Sequence, residues 1–122
     1  MSMVRLASIT CFAAVLVVIL FAGLRSEPVP QVFNHQDWLH HAAAFAALVC
    51  SARLAFPRVQ AFWMVLYCLM LALLIELGQG LLPMRTASVG DMVANITGVL
   101  IGLMVAGGIN RQIATRRVAD EA

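Results

Sequence analysis

The chain has 122 residues, of which 62% are hydrophobic and only 11% are charged, and its mean hydropathy is +0.92. A soluble domain carries roughly a quarter of its residues as charged side chains, so this composition excludes an ordinary water-soluble protein and indicates one integral membrane domain over residues 1–122. The net charge of +2 comes from eight arginines without any lysine, and so small an excess indicates no nucleic-acid partner.

The first half of the chain predicts two helices joined by a polar loop. Residues 6–24 carry no charge and suffice, at a rise of about 1.5 Å per residue, to cross a hydrocarbon core about 30 Å thick. A cleaved signal peptide is the alternative for this run, but no small-x-small cleavage site follows it. Residues 25–36 predict a loop whose end, from Asn34 to Asp37, has the pattern of a helix cap. Residues 38–56 predict the second helix, which Pro57 terminates.

The second half predicts two more helices separated by a tight turn. Residues 61–82 form the expected third helix, which ends at Pro83. A turn over residues 84–87 leads to Ser88 and Asp91, spaced as in a capping box, and the fourth helix is expected over residues 92–109. Residues 110–122 are polar and are expected to form a cytoplasmic tail. Helices this apolar with short connections predict an all-α fold, an antiparallel bundle of four transmembrane helices.

The arginines are distributed unequally between the two ends of such a bundle. Four spans place both termini on one side of the membrane, together with the connection between the second and third helices. Six arginines then lie on that side, and only Arg25 and Arg85 lie on the other. By the positive-inside rule, we expect a multi-pass protein of the bacterial inner membrane with both termini in the cytoplasm.

Polar side chains from three predicted helices converge at the opposite, outer end of the bundle. Ionisable groups at membrane depth are costly, so such residues are candidates for a functional site. The candidate polar site consists of Asp37, His41, Glu76, Gln79, Arg85, Asp91 and Asn95. Residues three or four apart share a helix face, which groups Asp37 with His41. The same spacing groups Glu76 with Gln79.

The fourth predicted helix carries a continuous stripe of polar and small residues. At helical spacing, the stripe consists of Asp91, Asn95, Gly98 and Gly102. Gly98 and Gly102 are the expected helix-packing residues, because a Gly-x-x-x-Gly pair permits close approach of a neighbouring helix. We expect the third helix to pack there, which would bring Glu76 near Asn95. Dimerisation through the two glycines is the alternative use of this seam and would make the protein a homo-oligomer.

The side chains of this site have both structural and functional interpretations. Glu76 is either a buried acid that hydrogen-bonds helices together or a carboxylate that carries a proton or contacts a lipid headgroup. Arg85 is either an interfacial anchor or a phosphate ligand, because its planar fork suits phosphate oxygens. No metal and no cofactor are expected, because no zinc-protease motif or comparable run of ligands occurs. His41 is instead expected to be held by a nearby carboxylate.

Four short motifs in this region occur in a characteristic order. They are Asp37-Trp-Leu-His-His41, Glu76-Leu-Gly-Gln79, Pro83-Met-Arg85 and Ser88-Val-Gly-Asp91-Met-Val-Ala-Asn95-Ile-Thr-Gly98. On these motifs, which cover most of residues 37–103, the chain resembles the VanZ-like family of small bacterial membrane proteins. Trp38 stands where that family commonly has a lysine, so one cation of the family pattern is missing here.

The resemblance implies a function in the cell envelope. The family's named member is associated with low-level resistance to the glycopeptide antibiotic teicoplanin. The expected partners are therefore membrane lipids, lipid-linked cell-wall precursors or glycopeptides at the outer face of the cytoplasmic membrane. An intramembrane enzyme on a lipid-linked substrate is an alternative, with Glu76 or His41 as general base and Arg85 as anion holder. A structural subunit without a ligand is another. No catalytic residue can be named, since the nearby Ser88 is expected to cap a helix.

Overall fold

The chain folds into four α-helices and contains no β-strand. The computed structural model describes residues 1–122, with α1 over Met3–Gly23, α2 over Gln36–Ala55, α3 over Ala61–Gly80 and α4 over Val89–Glu121. The predicted all-α fold is confirmed. All helix ends except one lie within a few residues of their predicted positions, because long uncharged runs bounded by proline and polar loops leave little choice of boundary.

The one large difference is the C-terminal end of α4. Residues 110–121 were expected to be a polar tail, but they continue the helix, which reaches 33 residues and about 50 Å. Arginine, glutamine and alanine in this segment all favour helix, and no glycine or proline follows Gly108 to end it. A Cβ at Gly107 or Gly108 would meet nothing within 4 Å, so this part of α4 extends beyond the bundle.

Three of the four helices are long and apolar enough to cross a membrane. These are α1, α3 and α4, whereas α2 falls short of that hydropathy because it carries five polar or charged side chains besides its serine. Large hydrophobic side chains such as Val17, Phe21 and Leu74 are exposed on the outside of the bundle, as expected where lipid is the solvent. The structure therefore supports the prediction of a membrane protein, but length and hydropathy identify only three of the four helices as candidate membrane spans.

The closest helix pair is formed by α2 and α4 through small residues. A Cβ at Gly98 would overlap the carbonyl oxygen of Ala42, and one at Gly102 would overlap that of Ala46. Going from Gly98 to Gly102 along α4, the contact moves from Ala42 to Ala46 along α2, so the two helices run in the same direction. The expectation that α3 occupies this seam is wrong, because the alanines of α2 permit a closer backbone approach. Since α2 covers both glycines, the seam is not available for dimerisation.

The apolar core fills the space between this pair and the other two helices. It consists of Ile19, Phe45, Leu48, Val49, Cys68, Ala72, Ile75 and Val99. Gly23 at the end of α1 lies against Ile75 and Gln79 near the end of α3. The ends of α1 and α3 therefore lie at the same end of the bundle as the loops that lead into α2 and α4. This arrangement brings the predicted polar residues to one end of the molecule.

The start of α2 differs from the predicted cap. The N-cap residue is His35, in a left-handed conformation with φ of 59°, and no side chain caps the helix. The amide oxygen of Gln36 instead accepts a hydrogen bond from the Val32 N–H at 2.7 Å, which holds the preceding loop. The predicted role of Asn34 and Asp37 as a capping pair is therefore wrong, and the Asp37 side chain is free to line a cleft.

Candidate functional site

Five polar side chains meet at the loop end of the bundle, where the surrounding protein is apolar. Glu76, Gln79, Asp91 and Asn95 are almost fully buried, with exposures of 5%, 2%, 6% and 1%. His41 joins them from α2 with 16% of its side chain exposed. These residues come from three helices, so their proximity results from the alignment of the helix ends.

The histidine is held by two residues of α4. Its Nδ1 lies 2.9 Å from Oδ1 of Asn95, and its Nε2 lies 3.6 Å from Oδ2 of Asp91. An amide oxygen has no hydrogen to donate, so Nδ1 of His41 carries a hydrogen and donates it to Asn95. The contact follows from the parallel course of α2 and α4, which places the first turns of both helices side by side.

Glu76 is bound to the start of α4. Its Oε1 accepts a hydrogen bond from the Ser88 N–H, which is the donor that the acid of a capping box normally satisfies. The Ser88 hydroxyl does accept from the Asp91 N–H at 3.2 Å, as predicted. The expected role of the Asp91 carboxylate in the box is wrong, however, because Glu76 from the preceding helix takes it. The Asp91 side chain is thereby left to face His41.

Two carboxylate oxygens of this cluster have no hydrogen-bond partner. They are Oε2 of Glu76 and Oδ1 of Asp91, and both are buried. A buried acceptor without a partner costs on the order of 1–3 kcal/mol, so a bound water, ion or ligand at these oxygens would be favourable. The one ion pair of the structure, between His41 and Asp91, leaves these two oxygens unsatisfied.

Arg85 does not pair with the acids. Its Nη1 donates at 3.5 Å to the carbonyl oxygen of Arg25, in the loop after α1. The Arg85 side chain lines the cleft, and no carboxylate lies within ion-pair distance of its guanidinium. A half-buried guanidinium without a carboxylate partner is suited to binding an anion from outside the protein.

An open cleft of about 630 Å³ connects these groups. Its polar lining includes Asp37, His40, His41, Gln79, Arg85 and Asp91. Five of the seven predicted site residues line the cleft. Glu76 contacts Ser88, which also lines it, and Asn95 contacts His41. His40 also lines the cleft, next to Gln36 one helical turn earlier.

An apolar groove between α1 and α2 lies next to the cleft. This groove has a volume of about 340 Å³ and only hydrophobic residues in its lining. The two spaces share the residues Val18, Ile19, Ala43 and Ala44. No sequence pattern predicted the groove, because an alanine-rich helix face is equally compatible with close packing. The arrangement combines a polar cleft with an adjoining apolar groove.

The cleft contains no activated nucleophile. The Ser88 hydroxyl caps α4, and the free cysteines Cys11, Cys50 and Cys68 lie outside the cleft lining. The groups that could act on a bound molecule are therefore a histidine, carboxylates and a guanidinium. These groups bind anions or cations and transfer protons, but do not form a covalent intermediate of the serine or cysteine type.

Comparison with known proteins gives one match. The sequence model of the family described as VanZ/LLP1 matches residues 7–110, which contain all four helices up to the projecting end of α4. The matched region includes every residue of the candidate site. No curated protein and no solved structure matches the chain.

Proposed function

Since the chain belongs to the VanZ/LLP1 family, we propose that it is a membrane protein that binds an anionic envelope lipid or lipid-linked cell-wall precursor in its cleft. The observation that carries this proposal is that the polar cleft and the apolar groove are neighbours that share four lining residues, Val18, Ile19, Ala43 and Ala44. A lipid presents a charged headgroup joined to an acyl chain, and the two spaces match these parts in polarity and order. Pockets of several hundred Å³ are typical of small-ligand sites.

Arg85 is the proposed ligand of the headgroup phosphate. Its guanidinium lines the cleft and has no carboxylate partner, so its positive charge is available. A guanidinium binds phosphate oxygens through two parallel N–H groups, and charge-assisted hydrogen bonds contribute roughly 1.5–3 kcal/mol each. The acyl chain would lie against Val18 and the alanines of α2 in the groove.

We also propose that α2 crosses the membrane, which completes an antiparallel bundle of four spans. Its polar residues lie near its ends, with Asp37 and His41 at the start and Arg53 at the last turn. Its middle is covered by the bundle, including the fully buried Leu48 and Val49. The arginine distribution then supports cytoplasmic termini, which places the cleft at the outer leaflet of the inner membrane.

Loss of Arg85 is expected to reduce lipid capture. The chain purified in mild detergent should carry envelope lipid, identified by native mass spectrometry. Arg85→Ala should weaken the affinity for that lipid at least roughly tenfold, as the loss of one charge-assisted hydrogen bond predicts. Arg85→Lys should retain part of the binding, because it keeps the charge but loses the fork. The matched control is Arg58→Ala, an exposed arginine in the connection between α2 and α3.

Two results would count against this proposal. Equal lipid occupancy in Arg85→Ala and Arg58→Ala would show that the lipid is held by detergent-like adsorption instead of the cleft. If Arg85→Ala lowers only the amount of folded protein, the structural-subunit interpretation is correct. Adding a glycopeptide in place of lipid to the same assay tests the remaining ligand class.

The orientation predicts opposite labelling of two introduced cysteines. Both variants are made in a chain whose Cys11, Cys50 and Cys68 are replaced by alanine. Thr86→Cys should react with a membrane-impermeant maleimide added to spheroplasts, in which the inner membrane is intact. Thr115→Cys should react only after the inner membrane is permeabilised. Both threonines are exposed in the structure, so accessibility differs only through the membrane. The reverse pattern would place the cleft on the cytoplasmic side.

A further inference from the structure

We propose that His41, Glu76 and Asp91 bind a divalent first-row metal ion. One ligand atom from each of these residues lies within 4.8 Å of the other two. Ligands around a four-coordinate zinc lie about 3.3 Å apart, given bonds of about 2.0–2.1 Å and tetrahedral angles. The observed 3.6 Å between His41 Nε2 and Asp91 Oδ2 is close to that separation. Small side-chain rotations would complete the set.

The orientation of the His41 ring suits a cation between these groups. Because Nδ1 donates its hydrogen to Asn95, Nε2 is the ring nitrogen that faces the Asp91 carboxylate, and without a hydrogen it can bind a metal ion. Histidines that bind metal through one ring nitrogen typically donate the other N–H to an oxygen, and Asn95 provides that oxygen here.

The unpartnered carboxylate oxygens provide the second, independent observation. Glu76 and Asp91 are 5% and 6% exposed, and each has a buried oxygen without a hydrogen-bond partner. No arginine reaches them, so the protein itself supplies only His41 as a counter-charge. A divalent ion would neutralise both carboxylates, so neither would be buried without a counter-charge. The Ser88 N–H already fixes the other oxygen of Glu76, as neighbouring groups do around metal ligands.

The ligand set indicates the class of metal. One imidazole and two carboxylates, without a thiolate, suit zinc or manganese better than a soft ion such as copper(I). His41 and Asp91 line the cleft, so an ion can reach the site from there and keep open coordination positions toward it. Metal binding does not require the lipid proposed above, and each can be tested without the other.

The test is metal titration of the full chain in detergent after treatment with a chelator. Isothermal calorimetry with Zn²⁺ or Mn²⁺ alone, with metal content measured by mass spectrometry, is expected to show one ion per chain. His41→Ala, Glu76→Gln and Asp91→Asn should each weaken binding at least about a hundredfold, since changes even next to metal ligands cost roughly 10–100-fold. The controls are His35→Asn and Glu27→Gln, which alter an exposed histidine and an exposed acid outside the cleft.

Three outcomes would overturn the inference. They are no binding of either ion at micromolar concentration, equal loss of binding in the control variants, and loss of binding when the three cysteines are replaced by alanine. Thermal unfolding of each variant shows whether it is folded, and Glu76→Gln keeps an oxygen for the Ser88 N–H. Arg85→Ala should retain the metal while losing lipid. Lipid capture without metal binding would refute only the metal site. Metal binding without lipid capture would refute only the proposed lipid function.

Discussion

Gly98→Ala is expected to destabilise the fold by about 3 kcal/mol, at the upper end of the cost of overpacking. The new methyl group would overlap the carbonyl oxygen of Ala42, which belongs to the backbone of α2 and cannot move aside as a side chain can. The two helices must therefore separate along the most extensive helix contact of the molecule. That separation would also pull His41 away from Asn95, since His41 is adjacent to Ala42 and Asn95 lies one turn before Gly98.

A graded series of glycine variants tests this expectation. The overlap at Gly102 is with the carbonyl oxygen of Ala46 and is smaller, so Gly102→Ala should be destabilising but less so than Gly98→Ala. Gly107→Ala is the matched control in the same helix, because nothing lies within 4 Å of the position. It should be neutral or stabilising by up to about 1 kcal/mol, since alanine favours helix over glycine. Unfolding in mixed micelles or by heat, followed by circular dichroism, measures the order. Equal effects at all three positions would show that helix propensity, and not the α2–α4 contact, dominates.

The second large effect is expected at Glu76. Glu76→Leu should destabilise the chain by about 2 kcal/mol, because it removes the acceptor of the Ser88 N–H at the start of α4. Glu76→Gln keeps an oxygen at the same place and should cost less than half as much. The difference between these two variants isolates the hydrogen bond from the charge, since leucine and glutamine have similar volumes.

The measurement is the free energy of unfolding of both variants in the same micelle. Hydrogen exchange at the Ser88 amide should be faster in Glu76→Leu than in the parent chain and unchanged in Glu76→Gln. Leu77→Ala provides a control on the exposed face of α3. If Glu76→Leu proved more stable than the parent, relief of the unpartnered Oε2 would outweigh the lost bond to Ser88, and the carboxylate would owe its place to ligand binding alone.

The helices could be located from sequence because their signal is strong and local. Long uncharged runs, the prolines after α2 and α3 and the Ser88 cap set their bounds. The end of α4 was missed because polar residues 110–121 have no apolar face to mark a helix, although the arginines, glutamine and alanines among them favour one. The cap at Asn34 was misassigned because several conformations of a polar loop can satisfy the same backbone groups. In the structure, the residue that precedes α2 as its N-cap is His35, in a left-handed conformation.

The members of the candidate site could also be listed from sequence, whereas their pairings could not. Costly polar groups in an apolar chain stand out by composition, and helical spacing assigns each to a face. Spacing within one helix contains no information about the neighbouring helix. The expectation that α3 packs in the Gly98 seam was wrong for that reason.

The sequence by itself determined a helical membrane protein of the VanZ/LLP1 family with its polar residues at one end. Hydrophobic runs and prolines determine local structure, and the effects of the arginines on orientation add up, so all three can be evaluated from the sequence alone. Only the tertiary structure decided that α2 lies against α4, that Glu76 replaces Asp91 at the cap, and that Asp91 faces His41. These contacts depend on which backbones can approach closely, and that is a property of two helices together, which neither segment specifies alone.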